Sequence, residues 1–218
     1  MNRQLASIIW PFMAQTKQHC CFRLASFFFV LCLHPLLGTP HTQAQDTQSE
    51  AAMAAYADAA NFQTGGAIDL AIDGWQSFLT KYPKHPMVSD AAHYLGVCYM
   101  QQEMPDYSAA AKAFGKALQN PRYDLREESL ANYGWCNYIA SGEGEQKDQA
   151  KLKLALDAFQ RLLEESPKTR FMDRALFYSG EAAYGMGKIQ QAIGYYDRLL
   201  KMPNAKASQL RCDAFYAI

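Results

Sequence analysis

The sequence predicts an all-α chain of stacked helix pairs, and two features carry that expectation. Four times an alanine is followed four residues later by an aromatic and, seven or eight residues on, by a proline: Ala71-Trp75-Pro83, Ala110-Phe114-Pro121, Ala155-Phe159-Pro167 and Ala192-Tyr196-Pro203. A glycine precedes three of them, at Gly96, Gly134 and Gly180, each among helix-forming residues. A pattern that returns every 36 to 46 residues marks one supersecondary unit repeated, so the repeat is the fold. Stacked helix pairs present surfaces that hold other proteins and seldom build active sites.

In chain order, the first 45 residues lack Asp and Glu and carry Arg3, Lys17 and Arg23 ahead of an apolar run from Leu24 to Leu37. Fourteen residues broken by His34-Pro35 are short for a bilayer span and suit the apolar core of a secretory signal. Thr42-Gln43-Ala44 puts small residues at the −3 and −1 positions, so residues 1–44 are expected to be a signal peptide cleaved after Ala44. Retention as an uncleaved anchor and initiation at Met13 are the alternatives. The apolar run is not amphipathic, which argues against a transit peptide, and Val30-Leu31 ahead of Cys32 argues against a lipid anchor. No further run of membrane-spanning length follows.

Residues 45–218 then divide into units at about 52–85, 89–122, 127–169 and 173–206, with a partial fifth at 207–218. In the second unit Ala92, Leu95, Gly96 and Tyr99 share one helical face. Met104-Pro105-Asp106 turns the chain, and Ala110, Phe114, Ala117 and Leu118 form the facing stripe until Asn120-Pro121 ends the helix. The third unit is longest, and its excess reads as a polar surface loop over Ser141–Asp148. Asp213-Ala214-Phe215-Tyr216 restarts a first helix. It is expected either to cap the fourth unit, to continue a longer array, or to dimerise through its apolar face.

Composition narrows the function. Half of the 218 residues are apolar, 19 % are charged and the net charge is zero, with no basic footprint for nucleic acid. Without residues 1–44 the chain has 18 basic and 21 acidic residues, so it is mildly acidic. Cys98, Cys136 and Cys212 form no disulfide framework, and the first two fall on inward faces as small hydrophobes. His85 and His93 have no clustered third ligand, and no nucleophile elbow, phosphate loop or haem attachment occurs. No catalytic residue, metal or cofactor is expected, and the chain is not expected to be an enzyme.

With these residues in register the chain resembles the tetratricopeptide repeat (TPR) family, matching its Leu-Gly-x2-Tyr…Ala-x3-Phe…Pro pattern through Leu95, Gly96, Tyr99, Ala110, Phe114 and Pro121. The other units match through Ala59, Gly66, Ala71 and Trp75; Leu130, Gly134, Ala155 and Phe159; and Leu176, Gly180, Ala192 and Tyr196. The resemblance implies a right-handed α-solenoid of about four TPR pairs plus a leftover C-terminal helix. Phe78-Leu79-Thr80-Lys81-Tyr82-Pro83 and Asp90-Ala91-Ala92, together with the signal, resemble exported cell-envelope adaptors of the Tol–Pal coordinator and outer-membrane assembly lipoprotein classes. Such relatives bind proteins.

The same resemblance implies a groove lined by the first helix of each pair. By register it offers Tyr56 in the first unit; Asp90, His93 and Met100 in the second; Glu128, Trp135 and Tyr138 in the third; and Arg174, Phe177, Glu181 and Tyr184 in the fourth. Asp90, Glu128, Arg174 and Glu181 are mixed in sign and give no charge preference for a ligand. The expectation is a periplasmic or envelope-associated scaffold that holds a peptide or helical partner. The alternative is a structural protein that self-assembles through its apolar C-terminal end.

Overall fold

The structure, a computed structural model, describes residues 40–144, 146–202 and 209–217, with side chains from residue 48. Most of the expected leader and Pro203 therefore lie outside the described residues. Among these there are nine helices and no strand: α1 (Pro40–Thr64), α2 (Ile68–Lys81), α3 (Val88–Gln101), α4 (Tyr107–Ala117), α5 (Arg126–Ala140), α6 (Gln149–Glu165), α7 (Met172–Gly185), α8 (Ile189–Leu200) and α9 (Gln209–Tyr216). Each helix packs on the next; α5 also packs on α7, and α9 on both α7 and α8. The pairs α1–α2, α3–α4, α5–α6 and α7–α8 make an all-α helical-repeat solenoid, with α9 opening a further unit. Among the described residues no helix is long and apolar enough to cross a membrane.

Each pair closes where one helix lacks a side chain. A Cβ added to Gly96 would lie 2.8 Å from the Phe114 ring, one on Gly134 would lie 2.8 Å from the Phe159 ring, and Gly180 meets the Tyr196 ring closer still. The rings are fully buried, so the glycine lets the second helix seat its aromatic against the first helix backbone. The first pair reaches the same approach from the other side. Ala59 stands at the glycine position, and Gly74 beside Trp75 gives way, since a Cβ there would lie 2.9 Å from the Ala59 Cβ.

Helix ends follow local chemistry. Tyr82 and Ser166 leave the helical region immediately before Pro83 and Pro167, as the proline ring requires. α1 and α7 stop at Gly66 (φ +79) and Gly187 (φ +72), whose left-handed backbone returns the Ala67 and Lys188 N–H groups to Phe62 O and Ala183 O at 2.9 Å. α4 ends earlier than Pro121 demands. Leu118 caps it, and the carbonyls of Leu118 and Asn120 each accept from Arg126 Nη1 at 3.2 Å. Arg126 also holds Glu165 through two bonds of 2.7 and 2.9 Å, so a single guanidinium joins the ends of α4 and α6 to the start of α5.

The excess of the third unit is only partly loop. The α5–α6 connection has eight residues against five between α3 and α4, while α6 starts six residues before Ala155 and α4 only three before Ala110. α6 thus gains most of a turn, Gln149–Lys151, ahead of Leu152, which takes the place of Tyr107 in α4 and is buried against Gly185. Both connections close alike: the capping aspartates Asp106 and Asp148 donate their N–H groups to Tyr99 O (3.1 Å) and Ser141 O (2.8 Å). The side chains of both then accept from the first turn of the next helix.

The buried side chains form two cores. One spans α1 to α4 around Trp75, Phe78 and Leu95; the other spans α4 to α9 around Trp135, Phe159 and Tyr196. Helix α4 belongs to both, giving Ala113 and Ala117 to the first and Ala110, Ala111 and Phe114 to the second. The glycine contacts generate a paired prediction. Gly134→Ala should cost about 1–3 kcal/mol by overpacking Phe159. Gly194→Ala, in α8 with nothing within 4 Å of its added Cβ, should stabilise by about 0.5–1 kcal/mol through helix propensity. Urea unfolding of both variants checks the opposite signs.

Candidate functional site

The first helices α1, α3, α5 and α7 open on apolar residues at Met87, Leu125 and Phe171 in the second to fourth pairs, without a side-chain cap. Their starts are instead held by the preceding turns, through Val88 N–H to His85 O, Arg126 N–H to Tyr123 O and Met172 N–H to Thr169 O at 3.1 to 3.3 Å. The side chains of successive first helices meet from one unit to the next.

The groove residues expected from the register divide by depth. His93 is 2 % exposed and Trp135 is 4 % exposed, so both sit inside the packing. Tyr56, Asp90, Met100, Glu128, Tyr138, Arg174, Phe177 and Glu181 are half-buried, and Tyr184 is 60 % exposed. Helical periodicity gives the face of a residue but not how far the neighbouring unit covers it. That is why the two buried positions could not be separated from the rest in the sequence.

Contacts tie successive first helices together. His93 Nδ1 lies 2.7 Å from Ser129 Oγ, joining α3 to α5, and its ring stands edge-on to Tyr94 and Phe114. Arg170 reaches back from the turn before α7 to Glu128 at 3.0 Å. The Tyr138 hydroxyl donates to Glu181 Oε2 at 2.8 Å and the Tyr196 hydroxyl to Glu181 Oε1 at 2.7 Å, so one carboxylate binds α5, α7 and α8. Lys147, from the α5–α6 connection, donates to the Tyr138 hydroxyl at 3.1 Å and lies 4.5 Å from the centre of its ring. Trp135 meets Tyr107 edge-on at 5.1 Å and has the Arg174 guanidinium at 5.7 Å. Tyr56 stands edge-on to Trp75 and Phe78. Phe177 contacts Tyr178 and Tyr196.

Sequence reasoning missed Lys147, Arg170 and the hydroxyl of Tyr196. Tyr196 was legible only as the ring that fills the glycine gap. The two cations lie in connections whose path no periodicity predicts.

Burial governs the electrostatics of this layer. Asp90 is held above the usual carboxylate range by burial, with Asp124 adding to the effect; Glu128 is raised by burial although Arg170 and Arg174 pull it back. Burial raises the phenols of Tyr56, Tyr94 and Tyr138, and nearby carboxylates reinforce the shift. Burial pushes the Cys98 thiol up to about 12 and raises Cys136, so both stay protonated and inert. All three described cysteines are free. Among the described residues no group of three His, Cys, Asp or Glu side chains could hold a metal ion. A cleft of about 200 Å³ at the starts of α5 and α7, lined by Asp124, Leu125, Glu127, Glu128, Arg170 and Phe171, is below the roughly 300–1,000 Å³ of small-molecule sites. What the layer offers is ring faces, hydroxyls and carboxylates along adjacent helices, the contact chemistry of a polypeptide surface.

His93 yields a prediction of sign and window. Burial pushes its imidazole down to about 4 from 6.5, so the unfolded chain takes up the proton first as the pH falls. Stability from this group is complete above about pH 6.5 and should decline by about 3 kcal/mol as the pH drops to 4. Urea unfolding at pH 7 and pH 4.5 should show a steeper loss in the wild type than in His93→Gln.

A family model described as a tetratricopeptide repeat matches residues 174–205, the α7–α8 pair and the residues that follow it. No curated protein matches the chain. The remaining three pairs repeat the glycine, alanine and aromatic positions of the matched pair, or in the first pair their mirror arrangement at Ala59 and Gly74. The match supports a tetratricopeptide repeat protein, and such repeats are typically non-catalytic modules that mediate protein–protein interactions.

Proposed function

We propose that this chain is a non-catalytic scaffold of the bacterial cell envelope that holds a peptide or helical segment of a partner protein along its first-helix layer. The observation that carries the reading is the chain of first helices α3, α5 and α7, joined by His93–Ser129 and Tyr138–Glu181 and leaving Tyr184 exposed with Met100 and Phe177 half-buried. Rigid aromatics beside polar groups are the composition of binding hot spots. The leader residues 1–44 support export as the route to the periplasm or envelope.

Self-assembly is the second reading. It draws support from α9, where Phe215 is 69 % and Tyr216 87 % exposed while Ala214 is buried on the preceding pair. Light scattering of the pure chain separates the two readings, since self-assembly gives an oligomer without any partner.

Two outcomes test the primary reading. A Tyr184→Ala/Phe177→Ala variant should keep wild-type helicity by circular dichroism and lose, by about tenfold or more, the partner that the wild-type chain captures from envelope extract. Mass spectrometry of the chain expressed in a bacterial host should find an amino terminus at Gln45 in the periplasmic fraction. Retention of the partner by the variant, or an intact leader in the cytoplasm, counts against the groove or the export respectively.

A further inference from the structure

Helix boundaries reveal a charge asymmetry that single groove positions do not. From residue 48 onward the first helices carry seven acidic and two basic side chains, whereas the second helices α2, α4, α6 and α8 carry six acidic and seven basic. Of the two first-helix cations, Arg126 is engaged by Glu165, away from the groove positions, and Arg174 lies over Trp135. The first-helix layer is therefore the electronegative side of each pair, and it is also the side that presents Tyr56, Tyr94, Tyr138 and Phe177.

This side already seats a cation that does not belong to it. Lys147 comes from the α5–α6 connection, lies 4.5 Å from the centre of the Tyr138 ring and donates to its hydroxyl, which in turn donates to Glu181. Ring face, hydroxyl and carboxylate line up behind one ammonium. Arg170, in the turn before α7, is seated similarly: it lies 4.7 Å from the centre of the Phe171 ring and pairs with Glu128. Aromatic faces backed by carboxylates favour cations over anions.

We propose that the first-helix layer docks a basic peptide segment, holding its ammonium or guanidinium groups against α5 and α7 as Lys147 is held on Tyr138, and that Lys147 competes for that seat. The proposal rests on the scaffold reading above and specifies the chemistry of the segment held. Lys147 is then a built-in occupant that weakens binding of a poorly matched partner and is displaced by a well-matched one.

The test uses the full chain and three labelled peptides of equal length: Lys-Leu-Ser repeats, and the same peptide with Glu or Gln in place of Lys, titrated by fluorescence anisotropy. The Lys peptide should bind about tenfold or more tighter than the Glu peptide, and its affinity should fall with added salt. Lys147→Ala should tighten the Lys peptide by about two- to fivefold, the worth of one exposed cation–ring contact, whereas Lys147→Arg should not. Asp90→Asn/Glu128→Gln should weaken the Lys peptide and leave the Gln peptide unchanged, with circular dichroism confirming an unaltered fold. Equal or tighter binding of the Glu or Gln peptide overturns the charge inference and leaves the scaffold reading standing. An unchanged affinity in Lys147→Ala overturns the competition. Binding of none of the three overturns the inference and removes peptide docking from the scaffold reading as well.

Discussion

The architecture depends on one steric constraint: within each pair a backbone must come close enough to the facing helix for an aromatic ring to lie flat against it. Gly96, Gly134 and Gly180 satisfy it by having no side chain where Phe114, Phe159 and Tyr196 arrive. A glycine inside a helix is unfavourable by roughly 0.5–1 kcal/mol relative to alanine, and burial of a whole aromatic side chain outweighs that many times over. The first pair shows that the constraint belongs to the approach and not to the residue. Ala59 and Gly74 exchange the burden between the two helices, and Trp75 is as fully buried as its counterparts. Once the pairs are closed this tightly, the first helices stand near enough to their neighbours for short polar bonds to form between units.

Those bonds make the layer specific. Ser129 and His93 are almost wholly buried, and a buried hydroxyl or imidazole without a partner is costly, so their 2.7 Å contact selects one alignment of α3 on α5. Glu181 does the same for α5, α7 and α8, since both of its oxygens are taken by tyrosine hydroxyls. Arg126 adds a third tie at the start of α5, using backbone carbonyls that the early end of α4 leaves free. Apolar packing holds the pairs together, while these polar ties determine how one pair sits on the next.

Much of this was legible in the sequence. Alanine, aromatic and proline spacing located the pairs, and the prolines at 83 and 167 marked real helix ends. The early end of α4 was not legible, because it depends on Arg126 arriving from the next unit to take the Leu118 carbonyl. The polar, glycine-bearing stretch Ser141–Asp148 forms the connection between α5 and α6, as it reads in the sequence. The lengthening of α6 by Gln149–Lys151 was not legible, because it depends on the Asp148 side chain accepting from the Ala150 and Lys151 N–H groups. At the candidate site the register gave each residue a helix and a face, but depth depends on the neighbouring units and the position of Lys147 on the path of the α5–α6 connection. A single periodic pattern carries no information about those.

Helix α4 has a consequence for how the molecule comes apart. It is a short, alanine-rich helix, yet both cores rest on it, one on each side. A repeat array can in principle open from either end, one unit at a time, because each unit touches only its neighbours. Here an opening that reaches α4 strips cover from Trp75 and Phe78 on one side and from the cluster around Trp135 on the other. The protein should therefore behave as two blocks sharing one hinge pin. Its slowest-exchanging amides belong in that pin, at the middle of the chain, and not in the longer helices that flank it.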